Sequence, residues 1–596
     1  MVHGGRQPIV GAHVYLLALN ATGYGGPGIP ASSSNASLSL LTSASGTAQD
    51  GSGNYYVTTD ANGNFTITGD YSCPADGSLN TYYYSTGGNP GSGANTAAIL
   101  VGPAPACNTS NFTVVNEVST IASVYAFGGF ISDPLHAGSS GSTLALTALN
   151  NAGQTLDNLY SQTTGAALAT TQAGNGTVPQ SEINTLANIL AACVNSTGPG
   201  STPCTTLFSN AENGSFAPTD TATAAVNIAH NPGANIANLY GLQTGTSPFQ
   251  PMLSAAPNDF TIAISYTGGG LNGAHDIAID GSGNVWVANA FASDISEFSP
   301  AGAALSGSSG YIGGGLDNPQ SLAIDGSGNV WALDTAPGSV GLSKLNSSGS
   351  PFSASAYSGG GLSGYGQIAI DALGNVWVTD LAASSISEFS SSGSPANSSG
   401  FTGGGLNSPT GIAIDVSGHV WASNGSSISE FNSSGSPLSS SGYSGGGLNH
   451  PWGVAIDGSG NVWISNTNGG VGGSISEFNS SGSPISGSGG FTGGGLSVPE
   501  GLAIDGSGNV WVANEFYAGS VSEFNSSGTA ISGASGYQSA GLNQPVGIAI
   551  DGSGNVWLTD DETMSITEFV GAATPVVTPV VANLLTPYGS HAVNKP

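Results

Sequence analysis

One phrase recurs seven times and constrains the fold more than anything else in the chain. Its clearest copy spans residues 491–524: Phe-Thr-Gly-Gly-Gly-Leu, then Pro-Glu-Gly-Leu-Ala-Ile-Asp, Gly-Ser-Gly-Asn-Val-Trp-Val-Ala-Asn and Val-Ser-Glu-Phe. Trp286, Trp331, Trp377, Trp421, Trp463, Trp511 and Trp557 mark its register, at spacings of 42 to 48 residues. Apolar runs this short, broken by Gly, Asp and Asn, read as strands and turns. A unit of this size cannot bury its apolar face alone and must stack on copies of itself. The period predicts a β-propeller of seven blades over residues 260–572.

Within each repeat the pattern predicts four strands. In the first copy these are Ile277–Asp280, Val285–Ala288 behind a Gly-Ser-Gly hairpin turn, Ile295–Phe298, and the run ending at Tyr311. Gly-Gly-Gly-Leu then crosses to the next blade. The aromatic before the glycines falls at Tyr266, Tyr311, Tyr357, Phe401, Tyr443, Phe491 and Tyr537. The first of these precedes blade one, and the last blade ends at Phe569 without one. Phe260–Tyr266 is therefore expected to supply the outer strand of blade seven, pairing the two ends of the ring and leaving no free edge. The repeat resembles the NHL type and, more loosely, the streptogramin-lyase propellers, over the whole of 260–572.

The N-terminal half reads differently. Residues 1–110 are β in character, with a strand expected over Pro8–Leu16 and another after the Gly-Asn turn at 63–64. The pair P-x-x-G-A-x-V-x-L and T-D-A-N-G-N-F-x-I resembles the carboxypeptidase-regulatory-like, prealbumin-type β-sandwich, which implies a structural or adhesive domain. The Ser/Gly-rich stretch at 20–55 is expected to be loop. Residues 111–245 turn helical: Val118, Ile121, Ala122 and Tyr125 lie at helical spacing, as do Ile183, Leu186, Ala187, Leu190 and Cys193 after Pro179. Asp220 reads as an N-cap. Four or five short helices are expected, with Glu117 and His230 in surface or capping roles. A linker follows at 246–259, and a tail closes the chain at 573–596. The expected architecture is mostly β: a seven-bladed propeller, an N-terminal β-sandwich and a small α-helical module.

Composition excludes some partners. Three Lys and Arg face 34 Asp and Glu, for a net charge of −31, so nothing neutralises the phosphates of nucleic acid or anionic lipid. No run of 18 apolar residues suggests a membrane span. The four cysteines form two near pairs, Cys73/Cys107 and Cys193/Cys204, at spacings that match no zinc site; two disulfides are expected, and with them an extracellular or cell-envelope location. Met1-Val-His-Gly-Gly has neither the basic start nor the apolar core of a signal peptide, so a truncated start is expected. A monomer is expected.

Hairpin arithmetic points to one candidate site. With the first turn centred on Ser282, Val285 faces Ile279 and Asn289 faces His275. The same count pairs Gln320 with Asp334, Gly366 with Asp380, Thr410 with Asn424, Trp452 with Asn466, Glu500 with Asn514 and Val546 with Asp560. All should ring one mouth of the channel, away from the Asp-Gly-Ser-Gly turns. The second member is always Asn or Asp, which suits a side chain bonding a backbone N–H at a strand end. The first varies freely, and a position released from the repeat is where a site can be built. His275, Gln320, Thr410, Trp452 and Glu500 are the ligand-binding candidates, against plain packing at the mouth.

No residue is assigned as catalytic or as a metal ligand, and no cofactor is required. The lyase resemblance implies the alternative of His275 as general base with Glu500 and Mg²⁺ or Ca²⁺. Here, however, the partner of His275 is Asn289 rather than Glu. His450 precedes Trp452 in the crossing loop and is placed to point the same way; His419, in a turn at the other end, reads as surface. The recurrent Asp-Gly-Ser-Gly-Asn lacks the further carboxylates of a calcium loop and reads as a turn. Lys344 replaces the third-strand Glu of the other blades and is expected to pair with Glu297 or Glu388. No serine-hydrolase elbow is present. The sequence thus suggests an exported or cell-surface binding protein for a carbohydrate, envelope, small-molecule or protein ligand. A metal-dependent lyase and a purely structural surface protein are the alternatives.

Overall fold

The computed structural model describes residues 1–21, 36–73, 80–104, 112–214, 216–470, 472–515 and 519–581. Seven antiparallel sheets follow one another through the C-terminal half, and their innermost strands touch in sequence around a closed ring. The inner strands are Ala274–Ile279, Pro319–Ile324, Ile368–Ile370, Ile412–Ile414, Pro451–Ile456, Pro499–Ile504 and Pro545–Ile550. Each pairs with the strand carrying the register tryptophan, which pairs in turn with the strand ending in Phe or Leu. In blades one to six the fourth expected strand is reduced to isolated bridges, such as Ile295 to Tyr311 and Ile475 to Phe491. The mostly β, propeller-like architecture is thus written in the strand pairing itself.

The repeat is explained by two recurring bonds. In every blade the turn Asp takes backbone N–H groups two and four residues on with Oδ1, and the tryptophan Nε1–H with Oδ2; for Asp457 these reach Ser459, Asn461 and Trp463 at 2.8, 2.9 and 3.0 Å. One carboxylate therefore shapes the turn and satisfies an indole that is wholly buried between blades. At the other end, the invariant Asx accepts the backbone N–H lying 17 residues earlier in the crossing loop, as in Asn449 to Asn466 and Ser497 to Asn514, both 3.1 Å.

The ring closes through Ala263–Tyr266, which pairs with Ser565–Phe569 in register, Tyr266 opposite Ile566. The Tyr266 hydroxyl donates to Glu568 at 2.6 Å. Beyond it, Gly176–Thr177 from the helical region adds one more short strand to the same sheet.

The N-terminal region departs from the expected sandwich. Its main sheet runs Ala48–Gln49, Tyr55–Thr58, His13–Ala18, Thr81–Thr86, Ile99–Pro103, with Leu38–Ser39 on the end of the His13–Ala18 strand. Among the described residues no second sheet of comparable size faces it. A helix does so instead: α1 (Glu117–Ala126) packs on Ile99–Pro103 and buries Val118, Ile121 and Ala122. The strand expected after the Gly-Asn turn precedes it, because Asp60 accepts the N–H groups of Asn62 and Asn64 and closes the turn behind Tyr55–Thr58. The Gly/Asn/Pro-rich stretch 83–106 supplies parts of two strands.

Five further helices follow: α2 (Thr143–Leu159), α3 (Gln180–Val194), α4 (Thr202–Asn210), α5 (Thr221–His230) and α6 (Ile236–Tyr240). Asp220 caps α5 through the Thr223 N–H. Glu117 is fully buried rather than superficial, and its two oxygens hold the Gly5 N–H at 2.8 and 2.9 Å. His230 bonds the Gly128 carbonyl at 3.0 Å. The Cys193–Cys204 disulfide ties the end of α3 to α4. Cys73 is disulfide-bonded as well, while Cys107 lies outside the described residues.

Helices and propeller share one core, in which Leu156, Leu190 and Phe260 join Ile277, Val285 and Trp557. Residues 246–259 run along α3, where Asn188 bonds the Phe249 backbone in both directions. Past Phe569 the chain turns across the Asp-Gly-Ser-Gly end of the ring. Ala573 bonds Gly554, Thr574 bonds Gly506 and Ser507, and Thr578 bonds Asp280. Val581 then joins the core of Trp331 and Ile370 on the far side.

Lys344 does not reach Glu297 or Glu388. Its ammonium lies 3.5 Å from Asp325 and 4.5 Å from the centre of the Trp331 ring, and it is buried. The turn aspartate of its own blade is nearer than the Glu of either neighbour. His419, read as surface, bonds Glu430 at 2.9 Å in the place where other blades use Asn.

Candidate functional site

The geometry of the mouth comes from a β-bulge that the hairpin count did not foresee. Pairing is regular from Ile279–Val285 up to Asp276–Ala288, and then Ala274, not His275, faces Asn289. Blade two repeats this with Pro319 facing Asp334, and blades five, six and seven with Pro451, Pro499 and Pro545 facing Asn466, Asn514 and Asp560. The expected partners of the Asx residues are therefore wrong by one: His275, Gln320, Trp452, Glu500 and Val546 are extra residues released from the ladder. A bulge re-aims a side chain and frees it from pairing, which is why this position alone varies in chemistry from blade to blade.

The residue after the bulge sets how closely neighbouring blades approach. It is Gly411, Gly453, Gly501 and Gly547 in blades four to seven. A Cβ there would meet the next blade's bulge carbonyl: 2.1 Å from Trp452, 2.6 Å from Glu500, 2.4 Å from Val546 and 2.9 Å from His275. Hydroxyls stitch the same contact. Ser423 donates to the Trp452 carbonyl, Ser465 to Glu500 and Thr559 to His275, at 2.6, 2.6 and 3.0 Å, while each accepts its own blade's Gly N–H at 2.8 Å. In blades one to three the same position is Asp276, Ser321 and Gln367, and blade three keeps the stitch, Thr379 donating to the Thr410 carbonyl at 2.6 Å and accepting the Gln367 N–H at 2.9 Å.

A cavity of about 170 Å³ opens at this mouth, lined by blades one to three and five to seven. His275, Asp276, Gln320, Gln367, Tyr365 and Trp452 line it, with apolar backing from Leu322, Ile368, Leu502 and Ile548. Tyr365 and Trp452 place their ring centres 5.7 Å apart, and His275 meets Tyr365 edge-on at 6.2 Å. Of the five candidate residues, the cavity brings together His275, Gln320 and Trp452. Thr410 is buried and spends its hydroxyl on Ser423 and the Pro451 carbonyl. The Glu500 side chain lies behind the wall, against Glu515, and does not line the space. His450 turns away to bond Asn449.

Tyr365 was not among the candidates, yet the sequence carried a signal for it. It stands three residues before Ile368, where five other blades place Pro319, Pro409, Pro451, Pro499 and Pro545.

Four acids act on this space. Asp276 is fully enclosed; burial raises its pKa, against the Leu322 and Ile277 N–H groups and the Ser321 hydroxyl, which it accepts at 2.9, 2.8 and 2.9 Å. Burial, then the Glu515 carboxyl beside it and Asp561, push Glu500 up to about 9. Burial also raises Asp561, with Glu515 and Asp560 adding to it and His275 opposing. The Tyr365 phenol is raised by burial and then by Glu500, Asp276 and Glu515. His275 Nδ1 lies 2.8 Å from the Gln320 carbonyl, which only accepts, so Nδ1 carries the proton. Among the described residues no three His, Cys, Asp or Glu side chains are grouped to hold a metal ion. The metal set that the lyase resemblance implies is thus not met: His275 spends Nδ1 on a carbonyl, and Glu500 faces another carboxyl.

No protein-family model matches the chain, and no curated protein matches it. Among solved structures it is similar to a streptogramin B lyase, at 19% identity and a TM-score of 0.40, covering 51% of this chain and 97% of that one. It is likewise similar to virginiamycin B lyase from Staphylococcus aureus, at 15% identity and 0.41, covering 52% and 98%. A gluconolactonase from Xanthomonas campestris matches at 15% identity and 0.33, covering 52% and 89%. Likeness at this level bears on neither substrate nor activity, and the fold reading rests on the strand pairing.

Proposed function

We propose that the protein is an exported or cell-surface propeller that binds a small ligand, or the exposed end group of a larger one, at the channel mouth. The carrying observation is the break in the repeat at the mouth: the position after the bulge is glycine in blades four to seven but Asp276, Ser321 and Gln367 in blades one to three, and residues of both groups, among them His275, Gln320, Tyr365 and Trp452, line one cavity. Two aromatic rings beside amides, an imidazole and a carboxyl form a surface that grips one face of a ligand and hydrogen-bonds its edge. The Cys193–Cys204 disulfide supports an oxidising location.

The test is a screen of the full chain against small sugars, amines and envelope fragments, read by tryptophan fluorescence, and repeated on Trp452→Ala and His275→Ala. Binding in the parent that both substitutions weaken is the expected result. Ligands whose affinity neither change touches would place the site elsewhere. Turnover of a bound ligand that His275→Ala abolishes while binding persists would move the protein to the enzyme reading.

A further inference from the structure

Acidic groups outnumber basic ones around the cavity, where His275 is the one basic side chain of the lining and acts on Asp276 and Asp561. Asp276 lines the cavity, and Glu500, Glu515 and Asp561 stand close enough to act on its walls. Among the described residues no Lys or Arg stands beside them. Arg6 lies in the N-terminal hairpin, Lys344 is engaged by Asp325 and the Ser391 carbonyl, and Lys595 lies outside the described residues. Glu500 is only 9% exposed and takes no hydrogen bond from any described N–H or hydroxyl donor; its neighbour is a second carboxyl. The Tyr365 hydroxyl likewise has no hydrogen-bond partner among the described residues, although its ring lines the cavity.

We propose that the mouth cavity takes an organic ammonium group, the head of a primary or quaternary amine, over the Trp452 and Tyr365 rings and within the field of Asp276 and Glu500. This rests on reading the mouth as the ligand site. Three physical points favour it over other ligand classes. An aromatic face attracts a cation through its quadrupole, most strongly where water is excluded. A cleft where one sign of charge predominates, with low-dielectric walls, concentrates the opposite charge. A bound cation also offsets the burial and the Glu515 and Asp561 charges that raise Glu500, and so favours its ionised form, which a neutral sugar does not do and an anion opposes. A metal ion would answer the charge too, but the described carboxyls do not converge as a ligand set.

The experiment titrates the full chain at low salt with choline and with its neutral isostere 3,3-dimethylbutan-1-ol, by calorimetry. Parent, Glu500→Gln, Trp452→Ala and Trp452→Phe are compared, each first shown to melt cooperatively. The expected result is choline at least tenfold tighter than the isostere. Glu500→Gln should remove most of that preference without affecting the isostere. Trp452→Ala should weaken both ligands, and Trp452→Phe should restore them in part. Equal affinities for the two probes, both lost in Trp452→Ala, would overturn the ammonium assignment and leave the mouth as the binding site. Choline binding that ignores both positions would overturn the site itself. Absence of binding by either probe would overturn the assignment while other ligand classes at the mouth stay open to the screen above.

Discussion

His275 of blade one donates its Nδ1–H to the backbone carbonyl of Gln320 in blade two, at 2.8 Å. Blade one has Ala288 where the stitched blades carry Ser423, Ser465 or Thr559, so the imidazole replaces the missing hydroxyl and joins the two blades itself. Removing it by His275→Ala should cost about 1 kcal/mol, the net worth of one such bond, seen as a small fall in denaturation midpoint. Gln320→Ala should leave the contact intact, since the acceptor is main chain. A Gln320→Ala loss as large as that of His275→Ala would refute this account.

Glycine after the bulge should be intolerant of any side chain. Gly453→Ala puts a Cβ 2.6 Å from the Glu500 carbonyl and must push blades five and six apart, at a cost of about 1–3 kcal/mol. Gly425→Ala, whose Cβ would lie 3.7 Å from Asn407, serves as the control and should change stability by less than about 0.5 kcal/mol. Chemical denaturation of the two variants side by side decides it.

The turn aspartate holds a buried indole. Asp457→Ala strands the Trp463 N–H and two backbone donors at once. A loss of about 2–3 kcal/mol is expected, since an unsatisfied buried donor costs more than the bond was worth. Added calcium should not move the melting of the parent if this loop is a turn only; a rise in melting temperature with calcium would revive the metal reading.

Acid should stabilise the protein. Burial first, with neighbouring acids next where they contribute, holds Glu117, Glu523 and Glu568 up to about 8, Glu477 and Asp334 to about 7, and Glu500 to about 9. Between the ordinary carboxyl value and these, the folded protein keeps protons that the unfolded chain has released. That stability is fully present below the unfolded value and is lost as pH rises through the folded ones. The melting temperature should therefore rise by ~5 °C or more from pH 8 to pH 5. A flat or falling profile by calorimetry would contradict it.

Closure predicts cooperativity. Deleting 258–268 removes the strand that pairs Ser565–Phe569 and the Tyr266 partner of Glu568. It also strands Gly176–Thr177, which pairs with that strand. The expected outcome is loss of the propeller transition in a thermal melt, not a shift of a few degrees.

The residues show what a single sequence makes legible. Trp463 and Asp457 could be read because they repeat, and a repeat reports what every blade needs. The ring closure at Tyr266 followed from counting, since an unpaired edge has to be filled. The one-residue slip at His275 was invisible because a bulge depends on how neighbouring strands crowd, which periodicity along one strand does not record. Tyr365 escaped notice because attention fell on the position after it, Gly366, although an aromatic in place of proline was itself a break in the pattern. Glu500 was found but misplaced: its side chain is turned by Glu515, a contact across a loop. The sandwich expected at the N-terminus failed because α1 covers the sheet, and only tertiary packing decides which partner an apolar face receives.

The segment running from Ala573 to Val581 bears on time rather than affinity. It crosses the turn end of the ring from Gly554 to the core beside Trp331. A propeller channel open at both ends lets a small molecule pass through; one with a segment of chain laid over its floor works as a well. A ligand that enters beside Trp452 is then expected to leave by the same opening, with its residence time set by the rim. Shortening the chain before Ala573 would give the molecule a second exit, and should quicken release without altering a single contact to the ligand.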